Sequence, residues 1–166
     1  MENIKEYIFS VLHSLGISYE SVSHSPIMTV AEGKDIAKSL DVTSCKNLFL
    51  VNKQKEYFLY LLPGDKKLCA KPLAEQIGSS RLSFASHEEM ERLLCTSPGA
   101  VSILGLINDK ENKVQLLIDE DVMHMDYISC HPCINTCSLR IKMEDIISIF
   151  LPAIRHHEYK VIHHMR

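Results

Sequence analysis

The stretch NLFLVNKQKEYFLYLLP, residues 47–63, constrains the fold most. Two strand-length apolar runs, NLFLV (47–51) and YFLYLLP (57–63), flank the charged connection NKQKE, and their aromatic and β-branched content reads as a β-hairpin. Pro63-Gly64-Asp65 follows with turn chemistry.

The rest of the chain is expected to build around that hairpin. Ile4, Ile8, Val11, Leu12 and Leu15 recur at helical spacing ahead of Gly16, predicting a helix over 3–15. ISYESVSH then reads as a strand. Thr29, with Glu32 three residues on, has the spacing of a capping box for a helix ending near Leu40. KPLAEQIG and SHEEMERLL predict short helices around a small strand, RLSF, with Ser86 as N-cap of the second. VQLLID (114–119), DYISCH (126–131) and SLRIK (138–142) read as strands, MEDIISIFLPAI (143–154) as a helix, and the terminal EYKVIHHM as an edge strand. Hairpin-linked strands interspersed with helices favour a mixed sheet over pure βαβ winding, so the expected class is α/β (α+β). A length of 166 residues and 46% hydrophobic content fit one domain, 1–166.

Composition excludes some functions. The net charge of −3 gives no global basic field, so nucleic-acid binding would need a local patch. The N-terminus lacks the pattern of a secretory leader, and no apolar run reaches the ~18 residues of a membrane span, so a cytoplasmic protein without a membrane partner is expected. The six cysteines are irregularly spaced, and in a reducing compartment they argue against a disulfide framework; most should be small buried hydrophobes.

The chemistry candidates are few. SPGAVSILGLIND (97–109) sets Pro98, Gly99 and Gly105 in a small-residue run, which reads first as a strand with a glycine bulge and second as a bend whose N–H groups cradle a carbonyl or anion. Lys46, at the mouth of an apolar strand, is either a solvated strand-end charge or a point charge beside a pocket. His131 is either a structural histidine or a base, and Asn135 and Thr136 are turn formers by default. Cys130-x-x-Cys133 with Cys137 lacks the second pair that zinc would need and the helix N-terminus that a redox dithiol would need, so neither a metal nor a thiol role is expected. His156, His157, His163 and His164 read as a solvated terminal surface.

Taken together, TVAEGKDIAKSL, KNLFLV, YFLYLLPGDKKL, AEQIGSSRLSFAS, SPGAVSILGLIND, VQLLIDEDV and HPCINTCSLRI resemble the YbaK/ProX family of aminoacyl-tRNA deacylases and synthetase editing domains, over roughly residues 15–155. The resemblance implies a compact mixed α/β domain with a curved sheet flanked by helices. It also implies hydrolysis of the ester of mischarged tRNA(Pro), Ala-tRNA(Pro) first, with no cofactor and no metal. Partners so implied are the acceptor end of tRNA(Pro) and the prolyl-tRNA synthetase. The family's strand lysine is matched by Lys46, its PGSVSPFGL-like loop by Pro98 to Leu106, and its HPxxNT-like segment by His131, Pro132, Asn135 and Thr136. Ala100 stands where serine is frequent, and Ile103-Leu104 replace the frequent Pro-Phe.

The catalytic set expected from this likeness is Lys46, the backbone of Gly99, Ala100 and Val101, and His131. Ile27, Leu48, Leu50, Ser102, Ile103, Gly105, Asn135 and Thr136 are expected around the substrate. Lys34, Lys38, Lys66, Lys67 and Lys71 are expected to meet tRNA, or else to form a solvated face. Two alternatives stay open: a Cys-tRNA(Pro) deacylase of the same fold, and a non-catalytic module that binds tRNA or an amino acid.

Overall fold

The computed structural model describes residues 4–27 and 29–163. Its centre is the expected hairpin, β2 (Cys45–Val51) against β3 (Tyr57–Pro63), paired antiparallel from Cys45↔Pro63 to Val51↔Tyr57. β5 (Val114–Asp119) adds parallel to β3, β8 (Tyr159–Ile162) adds parallel to β5, and the two-residue β4 (Ser83–Phe84) pairs only with Leu50 and Val51. The result is a mixed five-stranded sheet in the order β4-β2-β3-β5-β8. A second, antiparallel sheet places β7 (Cys137–Lys142) between β1 (Tyr19–Ser23) and β6 (Tyr127–Cys130). The mixed-sheet expectation holds, with the strands shared between two sheets.

Covering both faces of the larger sheet accounts for its near-continuous apolar strands. Phe49, Val51, Tyr57, Leu59, Leu61, Leu116 and Ile118 form the main core with α1 (Ile4–Ser14), α4 (His87–Leu94), the helical run 143–153 and the inner face of the small sheet. On the opposite face Leu50, Phe58, Tyr60, Leu62 and Leu117 pack under Leu73 and Ala74 of α3 (Ala70–Ile77). Each fully buried leucine is worth roughly 2 kcal/mol of apolar transfer.

Local signals set the element ends. Gly16 closes α1 in the left-handed region at φ 71°, and Ile17 N–H bonds the Leu12 carbonyl at 2.9 Å. Thr29 caps α2 (Val30–Ser39), its hydroxyl accepting from Glu32 N–H at 3.1 Å. Ser86 and Glu89 make a reciprocal capping box at α4.

Four features depart from the sequence reading. The apolar half of the glycine run is a 3₁₀-helix, Ile103–Asn108, in place of a strand, and α5 (Glu120–Met123), capped by Asp119, follows β5 directly. The final helix carries a π turn at Ile146–Phe150. The histidine cluster is split: His156 is buried and its Nε2 meets Asp109 Oδ2 at 3.1 Å, His163 Nδ1 lies 2.8 Å from Glu120 Oε2, His157 is exposed, and His164 lies outside the described residues. Asp109 also accepts the N–H groups of Lys113 and Val114, pinning the start of β5. Burial pushes its carboxyl up, but the His156 contact and those two amides outweigh it and hold it below the ordinary value.

Glu89 supplies a test of this packing. The Tyr57 hydroxyl and the Ser86 backbone N–H both donate to its carboxylate, lowering its pKa from 4.5 to about 2. The stabilisation is therefore complete above pH 4.5 and is lost as pH falls toward 2. Glu89→Gln, which keeps the cap's shape and removes the charge, should cost about 1–2 kcal/mol at pH 7 by urea denaturation, with the deficit narrowing below pH ~4.5.

Candidate active site

The N-terminal half of β2 is where the two sheets meet. Cys45 N–H donates to the Ser129 hydroxyl of β6 at 3.2 Å, and Asn47 Oδ1 accepts the N–H of Ile103 at 2.9 Å. Lys46 lies between these anchored neighbours. Because β4 pairs only with Leu50 and Val51, the strand edge from Cys45 to Leu48 is left without a strand neighbour on that side, and two adjoining hollows open around it.

The first hollow, about 420 Å³, runs between α2 and the small sheet; Ile27, Gly33, Ile36 and Ala37 form its apolar side. The second, about 310 Å³, is lined by Leu48, Phe84, Met90, Pro98 and Val101. Cys45, Lys46, Asn47, Gly99 and His131 border both, so a ligand spanning the two must cross these residues. A larger hollow of about 510 Å³ lies beside β5 and β8, among Phe58, Ile77, Gln115 and Tyr159, and holds none of the expected catalytic or substrate residues. The motif-lined pair is the better candidate on chemistry, size notwithstanding.

Among the described residues Lys46 has no ion-pair partner. Its field is still felt: Lys34 first, and Lys46 in addition, hold the Asp65 carboxyl below its ordinary value. A half-buried lysine without a carboxylate partner among the described residues is available to an anionic or carbonyl ligand.

The glycine loop is tied to itself. Thr96 Oγ1 donates to the Ala100 carbonyl at 2.9 Å and approaches that of Cys133 at 3.4 Å, while Ala100 N–H donates to Ser97 O at 3.0 Å. Ala100 therefore drops out as an amide donor to a ligand, its N–H being spent and its side chain fully buried. Gly99 and Val101 line the hollows, and among the described residues their amides make no hydrogen bond. Gly99 adopts φ 87°, a left-handed conformation that glycine allows without strain, and a Cβ there would lie 4.0 Å from Asn135 Nδ2.

His131 Nδ1 lies 2.9 Å from the Cys137 carbonyl, which can only accept, so this nitrogen carries the proton and Nε2 keeps its lone pair. Burial pushes its pKa below 6.5, outweighing the Cys137 contact that raises it, and the ring is neutral at pH 7. The thiols nearby are not nucleophiles. Burial raises Cys130 and Cys133, the latter to about 12, and lifts Cys45 to about 11. Among the described residues no three His, Cys, Asp or Glu side chains are placed to share a metal ion.

Other expected residues fall elsewhere. Ile27 and Leu48 line the hollows, but Leu50 is fully buried under α3 and Ile103 lies in the main core. Ser102 is buried as the 3₁₀ N-cap, its hydroxyl accepting from Leu104 N–H. Gly105 backs onto the Leu94 carbonyl and the Cys133 sulfur, where a Cβ would meet them at 3.3 and 3.4 Å. Asn135 lies beside Gly99, and Thr136 is exposed, its carbonyl taking His24 N–H at 2.9 Å. Lys66 is committed to Asp119 at 3.0 Å and Asp121 at 2.8 Å, and Lys34 pairs with Asp65 at 2.7 Å; Lys38, Lys67 and Lys71 are exposed. Sequence reasoning missed Asn47, Thr96, His24 and Ser138. Asn47 had a local signal in its adjacency to Lys46, whereas the others depend on contacts across the fold.

With that geometry in place, the comparisons are specific. Residues 24–149 match the aminoacyl-tRNA editing domain, and the chain belongs to that family. The prolyl-tRNA editing protein ProX of Acetoanaerobium sticklandii is 31% identical over 147 residues, covering 87% of this chain and 89% of that protein. Prolyl-tRNA synthetase associated domain-containing protein 1 of Danio rerio is 27% identical over 156 residues, covering 93% and 84%. The fold superposes on the crystal structure of a proposed trans-editing enzyme for prolyl tRNA synthetase with a TM-score of 0.72, at 17% identity, covering 96% and 95%. No described helix is long and apolar enough to cross a membrane.

The placement of Lys66 makes a prediction that separates stability from binding. Asp119 is only 3% exposed, and removing its cation leaves a buried carboxylate supported by the Tyr60 hydroxyl and the Asp121 amide alone. Lys66→Met should lower the unfolding free energy by about 2–4 kcal/mol in urea denaturation. An unperturbed midpoint would return Lys66 to the candidate tRNA surface.

Proposed function

We propose that this chain is a trans-editing deacylase that hydrolyses the ester of mischarged tRNA(Pro), with Ala-tRNA(Pro) as its main substrate, in the cytoplasm and alongside the prolyl-tRNA synthetase. The observation that carries the reading is Lys46, a cation without an ion-pair partner among the described residues, at the shared border of two hollows and flanked by Gly99 and the neutral His131.

An aminoacyl ester spanning the hollows places its carbonyl at that border. Water adds to the carbonyl carbon, and the electron pair of the C=O bond moves onto oxygen as the tetrahedral oxyanion forms. The Gly99 and Val101 amides, on either side of the residue tied by Thr96, stabilise it. Lys46 binds the terminal phosphate or the acyl end as a point charge. Collapse expels the 3′ oxygen of the terminal ribose, which leaves as the 3′-hydroxyl with the proton that the adding water gave up, and the neighbouring 2′-hydroxyl orients that water. The ester is already activated, so positioning and charge stabilisation suffice.

Selection follows from packing. Ile27, Ile36 and Ala37 wall the first hollow, and Ile27 Cγ2 sits 3.8 Å from where a Cβ on Gly33 would be. We assign selection to this wall, where a prolyl ring would overpack and an alanyl side chain would not, the rejecting half of a double sieve.

Lys46→Ala tests the assignment. It should lower kcat/KM for Ala-tRNA(Pro) at least about 100-fold, with a thermal midpoint within ~2 °C of wild type because a strand-end lysine has little packing to lose. Unchanged turnover would remove Lys46 from the site.

A further inference from the structure

We propose that His24 and Ser138 are positioning residues for His131, joined to it by a directional chain of hydrogen bonds that reinforces the Cys137 carbonyl in fixing which ring nitrogen it presents to the cleft. The inference rests on the deacylase reading above for its chemistry, and on geometry alone for its structure.

The direction of each link follows from its acceptor. His24 Nδ1 lies 2.8 Å from the Ser25 carbonyl oxygen, which can only accept, so the proton of His24 sits on Nδ1. Nε2 of His24 is then an acceptor, and it takes the Ser138 hydroxyl proton across 2.8 Å. With its proton turned to His24, Ser138 Oγ offers lone pairs to His131 Nδ1 at 3.3 Å, while that N–H also donates to the Cys137 carbonyl at 2.9 Å. Every proton is thereby accounted for, and the remaining nitrogen, Nε2 of His131, is left with its lone pair.

The fold makes this contact across 114 residues of sequence. β1 pairs with β7 in the register Val22↔Ser138 and Ser23↔Cys137, so the residue that follows β1, His24, falls beside the turn that carries His131. The bond from His24 N–H to the Thr136 carbonyl extends the ladder by one step. The two rings then meet edge-on with centroids 6.3 Å apart. Ser138 is 4% exposed, so water competes little for its hydroxyl.

The chemical use is proton transfer. As water adds to the ester carbonyl, its proton passes to His131 Nε2 and the C=O electron pair becomes the oxyanion. On collapse the same proton returns from Nε2 to the departing 3′ oxygen, leaving the free amino acid and the tRNA 3′-hydroxyl. A His131 ring of the opposite tautomer would present an N–H to the cleft and could not take that proton. The titratable groups bordering His131 are His24, Lys46, Cys45 and Cys130, with Cys137 adjoining through its carbonyl. The proximity of His24 itself disfavours charging of His131.

The test joins a substrate-free measurement to kinetics. Nitrogen-15 NMR of the wild-type protein at pH 7 should show His131 as the Nδ1–H tautomer, and Ser138→Ala, which leaves the Cys137 carbonyl as the remaining acceptor, should admit a measurable fraction of the Nε2–H form. In hydrolysis of Ala-tRNA(Pro), Ser138→Ala should lower kcat about tenfold with KM within about twofold, and Ser138→Thr, which restores the hydroxyl, should recover most of it. In a His131→Ala background the same Ser138→Ala change should cost less than about twofold, because its effect passes through His131. His24→Gln should repeat the tautomer change and move the acid limb of the kcat profile upward. The proposal is overturned if Ser138→Ala leaves the tautomer unchanged, or if its kinetic cost is equal with and without His131. A wild-type protein that shows the tautomer but hydrolyses no ester refutes the deacylase reading and leaves the positioning chain intact.

Discussion

The site depends on how the first three residues of β2 are held. Most strand residues spend their hydrogen bonds within their own sheet, but here Cys45 reaches the Ser129 hydroxyl of the second sheet and Asn47 reaches the amide that begins the 3₁₀-helix. Lys46 stands between a backbone anchor at Cys45 and a side-chain anchor at Asn47, and its ammonium has no ion-pair partner among the described residues. Three otherwise separate parts, the large sheet, the small sheet and the glycine loop, therefore converge on a single residue. A shift in any one of them would move the lysine relative to the amides of Gly99 and Val101, and near-attack geometry tolerates little of that.

The electrostatic character of the cleft suits an ester substrate. One cation without an ion-pair partner among the described residues, a histidine kept neutral first by burial, and thiols kept protonated by the same burial leave no carboxylate at the shared border of the two hollows. Such a site stabilises developing negative charge on an oxygen and offers an uncharged nitrogen for a proton, without a strong nucleophile that would form a covalent intermediate.

Much of the fold was legible because it is locally encoded. The hairpin follows from two apolar runs, α4 from the Ser86–Glu89 box, and α1 from its periodicity and Gly16. What the sequence hid is tertiary. Ile103–Asn108 is apolar enough for a strand, yet the Asn47 contact and the Ser102 cap wind it into a 3₁₀-helix. His156 looked like part of a solvated tail until Asp109 claimed it, and Lys66 looked free until Asp119 did. Leu50 shares the strand parity of Lys46 and Leu48, but it lies two residues deeper, under α3, and never reaches the cleft. Within the site, the motif letters led to Lys46, Gly99 and His131, whereas His24 and Ser138 are joined to them only through sheet register.

Comparing ester hydrolysis rates of the wild-type protein on tRNA(Pro) carrying alanine, cysteine or proline is the most direct test of the central claim. The proposed selection predicts rapid release of alanine, with prolyl-tRNA(Pro), whose larger ring has to pack against Ile27, Ile36 and Ala37, slower by at least about 100-fold. A cysteinyl rate well above the alanyl rate would reassign the substrate, and comparable hydrolysis of the prolyl ester, or none of any ester, would contradict the account.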